Sequence, residues 1–147
     1  MAFQEKPGQI RWRLHFKSSP EKVYQALATD QGRARYWAES AVERDGVVEF
    51  RFLNEPKVIK CAVLQKEPPR VFSLEYFASK VVFSLEPDGA GGTDMSLLAY
   101  DVDEQWRMEM AAGWVSVLMS LKAAVDFGID LRNHDPARTW DQGFADN

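Results

Sequence analysis

From Glu104 to Phe127 no proline interrupts the chain, and Trp106, Met110, Trp114, Val117, Leu118, Leu121, Ala124 and Val125 recur at three- and four-residue spacing. That period predicts one long helix, about 36 Å at about 1.5 Å per residue, with Gly128 as its C-terminal stop. An apolar stripe of that length cannot be left in water. It requires a broad apolar surface to lie across, and the rest of the chain must supply one.

The upstream segments have the period of strands. In residues 9–16, QIRWRLHF, Ile10, Trp12, Leu14 and Phe16 alternate with Arg11, Arg13 and His15, so one face of the strand is buried. SSPEKVYQALAT follows, where Ser18 or Ser19 caps a short helix from about Pro20 to Ala28. A second short helix is expected over DQGRARYWAE, with Asp30 as its cap and Tyr36 and Trp37 at its apolar end. GVVEFRFL and KVIKCAVLQKEPP return to period two until Pro68 and Pro69, and RVFSLEYF, SKVVFSLE and TDMSLLAY continue it. Short connections between six or seven strands predict an antiparallel sheet. The class is α+β, with one sheet face under the long helix.

At 147 residues, 46% of them hydrophobic, the chain suffices for one domain over residues 1–147. The core is expected at about 9–128, with a polar tail over 129–147. A formal charge of −4, from 18 basic against 22 acidic residues, gives no field that attracts phosphate backbones, so no nucleic-acid partner is expected. The single Cys61 excludes an internal disulfide and a cysteine-rich zinc site. No run approaches the ~18 consecutive apolar residues of a membrane span, and MAFQEKPGQI lacks the pattern of an export signal. Membrane insertion is not expected, and a reducing, cytoplasmic location is the default.

This order of elements resembles the START-like helix-grip superfamily, specifically the group related to activators of the heat shock protein 90 ATPase. The first strand IRWRLHF, the helix start SSPEKVYQAL, the pair Tyr36–Trp37 and GWVSVLMSLKAAVDFG in the last helix carry the resemblance, over about residues 9–128. It implies a curved sheet wrapped around the long helix, with a cavity between them for a small apolar or aromatic molecule. Trp12, Leu14, Phe50, Phe52, Phe72, Tyr76, Met110, Trp114 and Leu118 are the residues that would line it. Large rings are hard to pack to full density against a curved surface, and any space left among them would be apolar. Each of these residues equally suits a plain core, and Tyr36 and Trp37 suit a gate or, more simply, a staple at one end.

The remaining polar groups favour binding over chemistry. His15 lies on the solvent face of its strand, and His134 sits in RNHDP, where Asp135 can orient its ring. Neither belongs to a metal-ligand pattern, so no metal, cofactor or catalytic residue is expected. Cys61 alternates with Ile59 and Val63, an apolar setting that keeps a thiol inert. DGAGGT reads as a hairpin turn, and Glu75 and Glu86 fall on the face opposite the large side chains. In the tail, Leu131, Trp140 and Phe144 suit docking on the same chain or, across a two-fold axis, a homodimer. The leading expectation is a soluble binding protein for a small hydrophobic ligand, oriented by groups such as Tyr76 or Ser73. A chaperone-directed interaction module stands second, because the activators that name the family carry a further N-terminal domain for which this length leaves no room. A cyclase- or hydrolase-type enzyme stands third.

Overall fold

The computed structural model describes residues 4–147. The chain runs β1 (Ile10–Phe16), α1 (Pro20–Ala28), α2 (Asp30–Ala34), β2 (Ser40–Arg44), β3 (Val47–Arg51), β4 (Ile59–Glu67), β5 (Val71–Tyr76), β6 (Ser79–Pro87), β7 (Thr93–Tyr100) and α3 (Arg107–Phe127). All seven strands form one antiparallel sheet in the order β1-β7-β6-β5-β4-β3-β2. Strands β2 to β7 are a meander. The pair α1–α2 carries the chain from β1 at one edge to β2 at the other.

Register aligns the buried faces strand by strand. Ile10, Trp12 and Leu14 stand opposite Ala99, Leu97 and Met95, and these opposite Val81, Phe83 and Leu85. Phe72 and Leu74 continue the same face across β5. A register shift between Val63 and Gln65 puts a bulge in β4, which bends the strand and adds to the curvature of the sheet. On the hollow side, these residues and the inner side of α3 form one continuous cluster.

α3 has 21 residues, about 32 Å. It begins three residues later than its sequence period suggests, because Asp103 accepts the Gln105 amide and closes a turn ahead of it. Trp106 therefore falls outside the stripe and is half-exposed. Trp114, Leu118, Leu121, Ala124 and Val125 are buried, and Met110 and Val117 pack against them. Gly128 ends the helix in the left-handed region at φ 65°, where its own amide and that of Ile129 turn back onto the last carbonyls. By length and composition α3 is apolar enough to cross a membrane; here the Trp114 side packs into the core while Met108, Val115 and Met119 stay exposed.

α1 starts at Pro20 with Ser19 as its cap. For α2 the cap is Thr29, whose hydroxyl accepts from the Gly32 amide at 3.0 Å, and not Asp30. Asp30 is taken by Arg33 at 2.7 Å and by the Glu43 amide at 2.9 Å. Gly32 is required where α2 crosses α1, since a Cβ there would stand 2.3 Å from the Gln25 carbonyl oxygen. β2, which has no counterpart among the strands expected from alternation, is a short edge strand whose fully buried residue is only Ala41.

Arg33 joins these pieces. It is fully buried, with Nε donating to the Ala41 carbonyl and Nη1 to that of Leu27, each at 3.1 Å, while Nη2 meets Asp30. Three acceptors on three elements converge on one planar fork, a geometry a single ammonium cannot match. Arg33→Met should orphan two carbonyls and cost about 3 kcal/mol, lowering the thermal midpoint by about 6–12 °C, and Arg33→Lys should recover little of it. Thermal unfolding followed by circular dichroism checks both; a midpoint shift below about 3 °C in the Met variant refutes the assignment.

Candidate functional site

The space between sheet and helix is built around Trp37, which comes from the connection between α2 and β2. Its ring centroid lies 5.0 Å from Phe50, 5.5 Å from Tyr76, 5.8 Å from Phe83 and 6.0 Å from Trp114. Tyr36 stacks on it at 5.9 Å, and Tyr76 and Trp114 meet each other at 5.1 Å. All of these are separations at which aromatic pairs attract. Trp37 is 4% exposed and is a hub of the interior, a larger role than a staple at one end.

Two hydroxyls enter this apolar surround. Tyr76 accepts from Trp37 Nε1 at 3.1 Å, and burial raises its pKa above the ordinary value. Burial raises that of Tyr36 as well, and among the described residues its oxygen has no hydrogen-bond partner. A buried hydroxyl without a partner costs about 1–3 kcal/mol.

The nine residues named from sequence all belong to the cluster beneath α3. Phe50, Phe72, Trp114 and Leu118 are buried, while Trp12, Leu14, Phe52, Tyr76 and Met110 are partly buried against them. Ring contacts tie Phe50, Phe52, Tyr76 and Trp114 to the Trp37 group, and Phe72 reaches it through Phe83. Ser73 alternates to the other face of β5 from Tyr76 and so is not among them. Sequence reasoning passed over Phe83 and the central position of Trp37. Phe83 shares the register of Phe72, which was the signal available; Trp37 lies in a connection, where no period applies.

The best-formed depressions lie at the surface. One, of about 310 Å³, opens beside the β5–β6 turn and is lined by Cys61, Tyr76, Phe77 and Ser79 together with Lys60, Glu75, Lys80 and Asp101. The other, of about 330 Å³, lies by the start of α3 between Gln4, Arg107 and Met108. Tyr76 lines the first depression and also belongs to the ring cluster.

The titratable groups are engaged elsewhere. Burial pushes the Cys61 thiol up to about 11, which keeps it protonated. His15 Nε2 lies 2.8 Å from Asp88, whose carboxylate also accepts the Ala90 and Gly92 amides and holds the β6–β7 turn; the His15 bond and those amides keep it below the ordinary carboxylate range. His134 is oriented by Glu39 and Asp130, while Asp135 turns to the Ala137 amide and Arg138. The Asp126 carboxylate is wholly buried but accepts the Lys17 and Ser18 amides at 3.0 and 3.1 Å. Among the described residues no three His, Cys, Asp or Glu side chains converge as a metal site would need.

Residues 17–126 match the family model described as "Activator of Hsp90 ATPase homolog 1-like protein". Similar solved structures include a protein from Staphylococcus saprophyticus, 21% identical over 84% of this chain and 96% of that one, at a TM-score of 0.73. The Aha1 dimer from Colwellia psychrerythraea is 24% identical over 82% of this chain and 97% of that one, at 0.72. CalU16 from Micromonospora echinospora is 25% identical over 78% and 72%, at 0.63. No curated protein matches.

The two hydroxyls predict opposite responses to loss. Tyr36→Phe should leave stability unchanged or raise it by up to about 1 kcal/mol, because an unpaired buried oxygen is removed. Tyr76→Phe should cost about 1 kcal/mol, because it orphans the Trp37 N–H. Urea denaturation midpoints at constant slope measure both, and a clear loss in the Tyr36 variant would show that its oxygen has a partner.

Proposed function

The chain belongs to the Activator of Hsp90 ATPase homolog 1-like family, and on that footing we propose that it is a soluble binding protein for a small apolar or aromatic ligand, held against the ring cluster between the sheet and α3. The supporting observation is the pair of buried hydroxyls, Tyr36 and Tyr76, set among the rings of Trp37, Phe50, Phe83 and Trp114. The rings supply apolar area and the unpaired Tyr36 oxygen supplies a polar handle, the usual composition of a small-molecule site.

Magnitudes constrain how such a ligand would enter. A ring system burying about 200 Å² gains about 5 kcal/mol gross. Expelling Trp37 into water would expose a comparable area and cancel that gain. Entry therefore proceeds beside Trp37, by spreading the β5–β6 end where Tyr76 meets the surface depression, and not by ejecting the indole.

A second reading, as an interaction module, has its own support. The side of α3 turned away from the sheet carries Met108, Ala112, Val115 and Met119 at four-three-four spacing, with Met108 87%, Val115 40% and Met119 49% exposed. The Colwellia relative is described as a dimer. Trp140 of the tail is committed to Glu109 of its own α3 at 3.1 Å, so a second copy would meet this stripe rather than the Trp140 ring. A chaperone partner is the competing occupant of the same stripe.

The ligand reading predicts saturable binding of N-phenylnaphthylamine that quenches tryptophan emission and is reversed by competing aromatic or fatty compounds. Trp114→Leu should change the affinity tenfold or more while the circular dichroism spectrum keeps its folded form; absence of displaceable binding to the wild-type protein would sink it. For the second reading, native mass spectrometry of the wild-type chain should show a dimer that Met108→Gln with Met119→Glu converts to monomer. A wild-type monomer throughout the micromolar range removes the self-association version.

A further inference from the structure

The segment after α3 turns back across the connection between α2 and β2 and is fastened to it at several points. The Arg132 guanidinium, whose side chain is 5% exposed, donates to the carbonyls of Ala38 at 2.7 Å and Ala34 at 2.8 Å, while its Nε reaches Asp130 at 3.0 Å. With Arg132 anchored, His134 is delivered between two carboxylates. Its Nδ1 lies 2.7 Å from Glu39 Oε1 and its Nε2 2.7 Å from Asp130 Oδ2. The residue sits at φ 53°, in the left-handed region that few residues other than glycine adopt and that histidine tolerates better than most.

A neutral imidazole has one N–H and one lone pair. With a carboxylate oxygen at 2.7 Å from each nitrogen, either neutral tautomer directs a lone pair at an anion, and the doubly protonated ring alone makes both bonds. We propose that His134, closing between Glu39 and Asp130, is a proton-operated clasp that straps residues 130–134 over the α2–β2 connection. Charged, the ring holds both carboxylates; neutral, it must release one. Asp130 is fixed by Arg132 on the strap's own segment, so the contact given up is the one to Glu39 on the connection.

The charged groups that face the ring are Asp130, Glu39 and Arg132, and their balance favours the cation. The bond to Asp130 and then that to Glu39 raise the His134 pKa above its ordinary value, against partial burial and the Arg132 charge. A histidine whose pKa is raised in the closed state contributes its full stabilisation below the free value of about 6.5, and loses it as pH rises through the raised one. The clasp is thus closed on the acidic side of that raised value and slack on its alkaline side. Arg132 keeps its carbonyl bonds throughout, so the strap loosens without leaving. The connection it covers carries Tyr36 and Trp37, and the clasp sets how firmly that connection is held.

Nuclear magnetic resonance of the full chain tests this without any ligand. The His134 ring signals, identified by their absence in His134→Gln, should titrate with a midpoint above about 6.5, and the amides of Ala38, Glu39 and Asp130 should shift with the same midpoint. Glu39→Gln, an isosteric change at an exposed side chain, should lower that midpoint by at least about 0.5 unit, and His134→Gln should abolish the coupled amide shifts while His15→Gln leaves them intact. A His134 midpoint at or below the ordinary value, or amides of residues 38–39 that ignore its titration, overturns the clasp.

Discussion

Seating an apolar rod in the hollow of a sheet is the requirement on which the rest of the arrangement depends. An isolated helix of α3's length draws little stability from hydrogen bonding alone in water, so its order comes from Trp114, Leu118, Leu121 and Val125 packed beneath it. Both ends are then fastened by charge to backbone. Arg107 donates to the carbonyls of Gln9 and Lys6 at the start, and Asp126 accepts the Lys17 and Ser18 amides near the end. A buried carboxylate left alone would cost several kcal/mol. Here burial opposes the charge, but those two amides, the Ser18 hydroxyl and nearby Lys122 outweigh it and hold the group below its ordinary range. The same bonds fix the β1–α1 connection relative to α3, and so fix where α1 and α2 begin.

Elements with a clean period were legible in the sequence: the alternation of β1, the Ser19–Pro20 start of α1 and the stripe of α3 all stand in the structure. β2 was not, because a short edge strand with a small buried residue generates no alternation. A turn signal did mark it. Asp45–Gly46 joins β2 to β3 with both residues in the left-handed region, the geometry that Asp-Gly pairs serve in two-residue hairpins. The β5–β6 turn lacked even that, since Phe77 and Ala78 occupy the same region without glycine or asparagine. Capping at α2 falls one residue earlier than expected because Thr29 and Asp30 are both good caps, and Asp30 is engaged by Arg33, whose guanidinium also bonds the Ala41 and Leu27 carbonyls. Long-range partners of that kind leave no trace in local spacing.

The composition of the candidate site was legible and its filling was not. Alternation says which side chains share a face; it does not say whether another element occupies the volume above them. Family membership does not settle the matter either, since a fold accommodates many functions. In this chain the occupant is Trp37, and no periodic signal places a ring that arrives from a connection.

That origin has a mechanical consequence. Moving a residue within a strand breaks ladder hydrogen bonds on both sides, whereas a connection can shift at the cost of the few bonds that tie it down. For residues 34–39 those ties include Arg35 to the Ala124 carbonyl, Arg132 to the carbonyls of Ala34 and Ala38, and Glu39 to His134. The Glu39 amide also donates to the Arg51 carbonyl of β3 at 3.0 Å and Trp37 Nε1 to Tyr76 of β5 at 3.1 Å, while the ties to Arg132 and His134 come from the segment after α3. The connection that carries Trp37 is therefore held from two sides, by the strands that line the interior and by the polar segment after α3, which makes Arg132 and His134 part of what positions the indole.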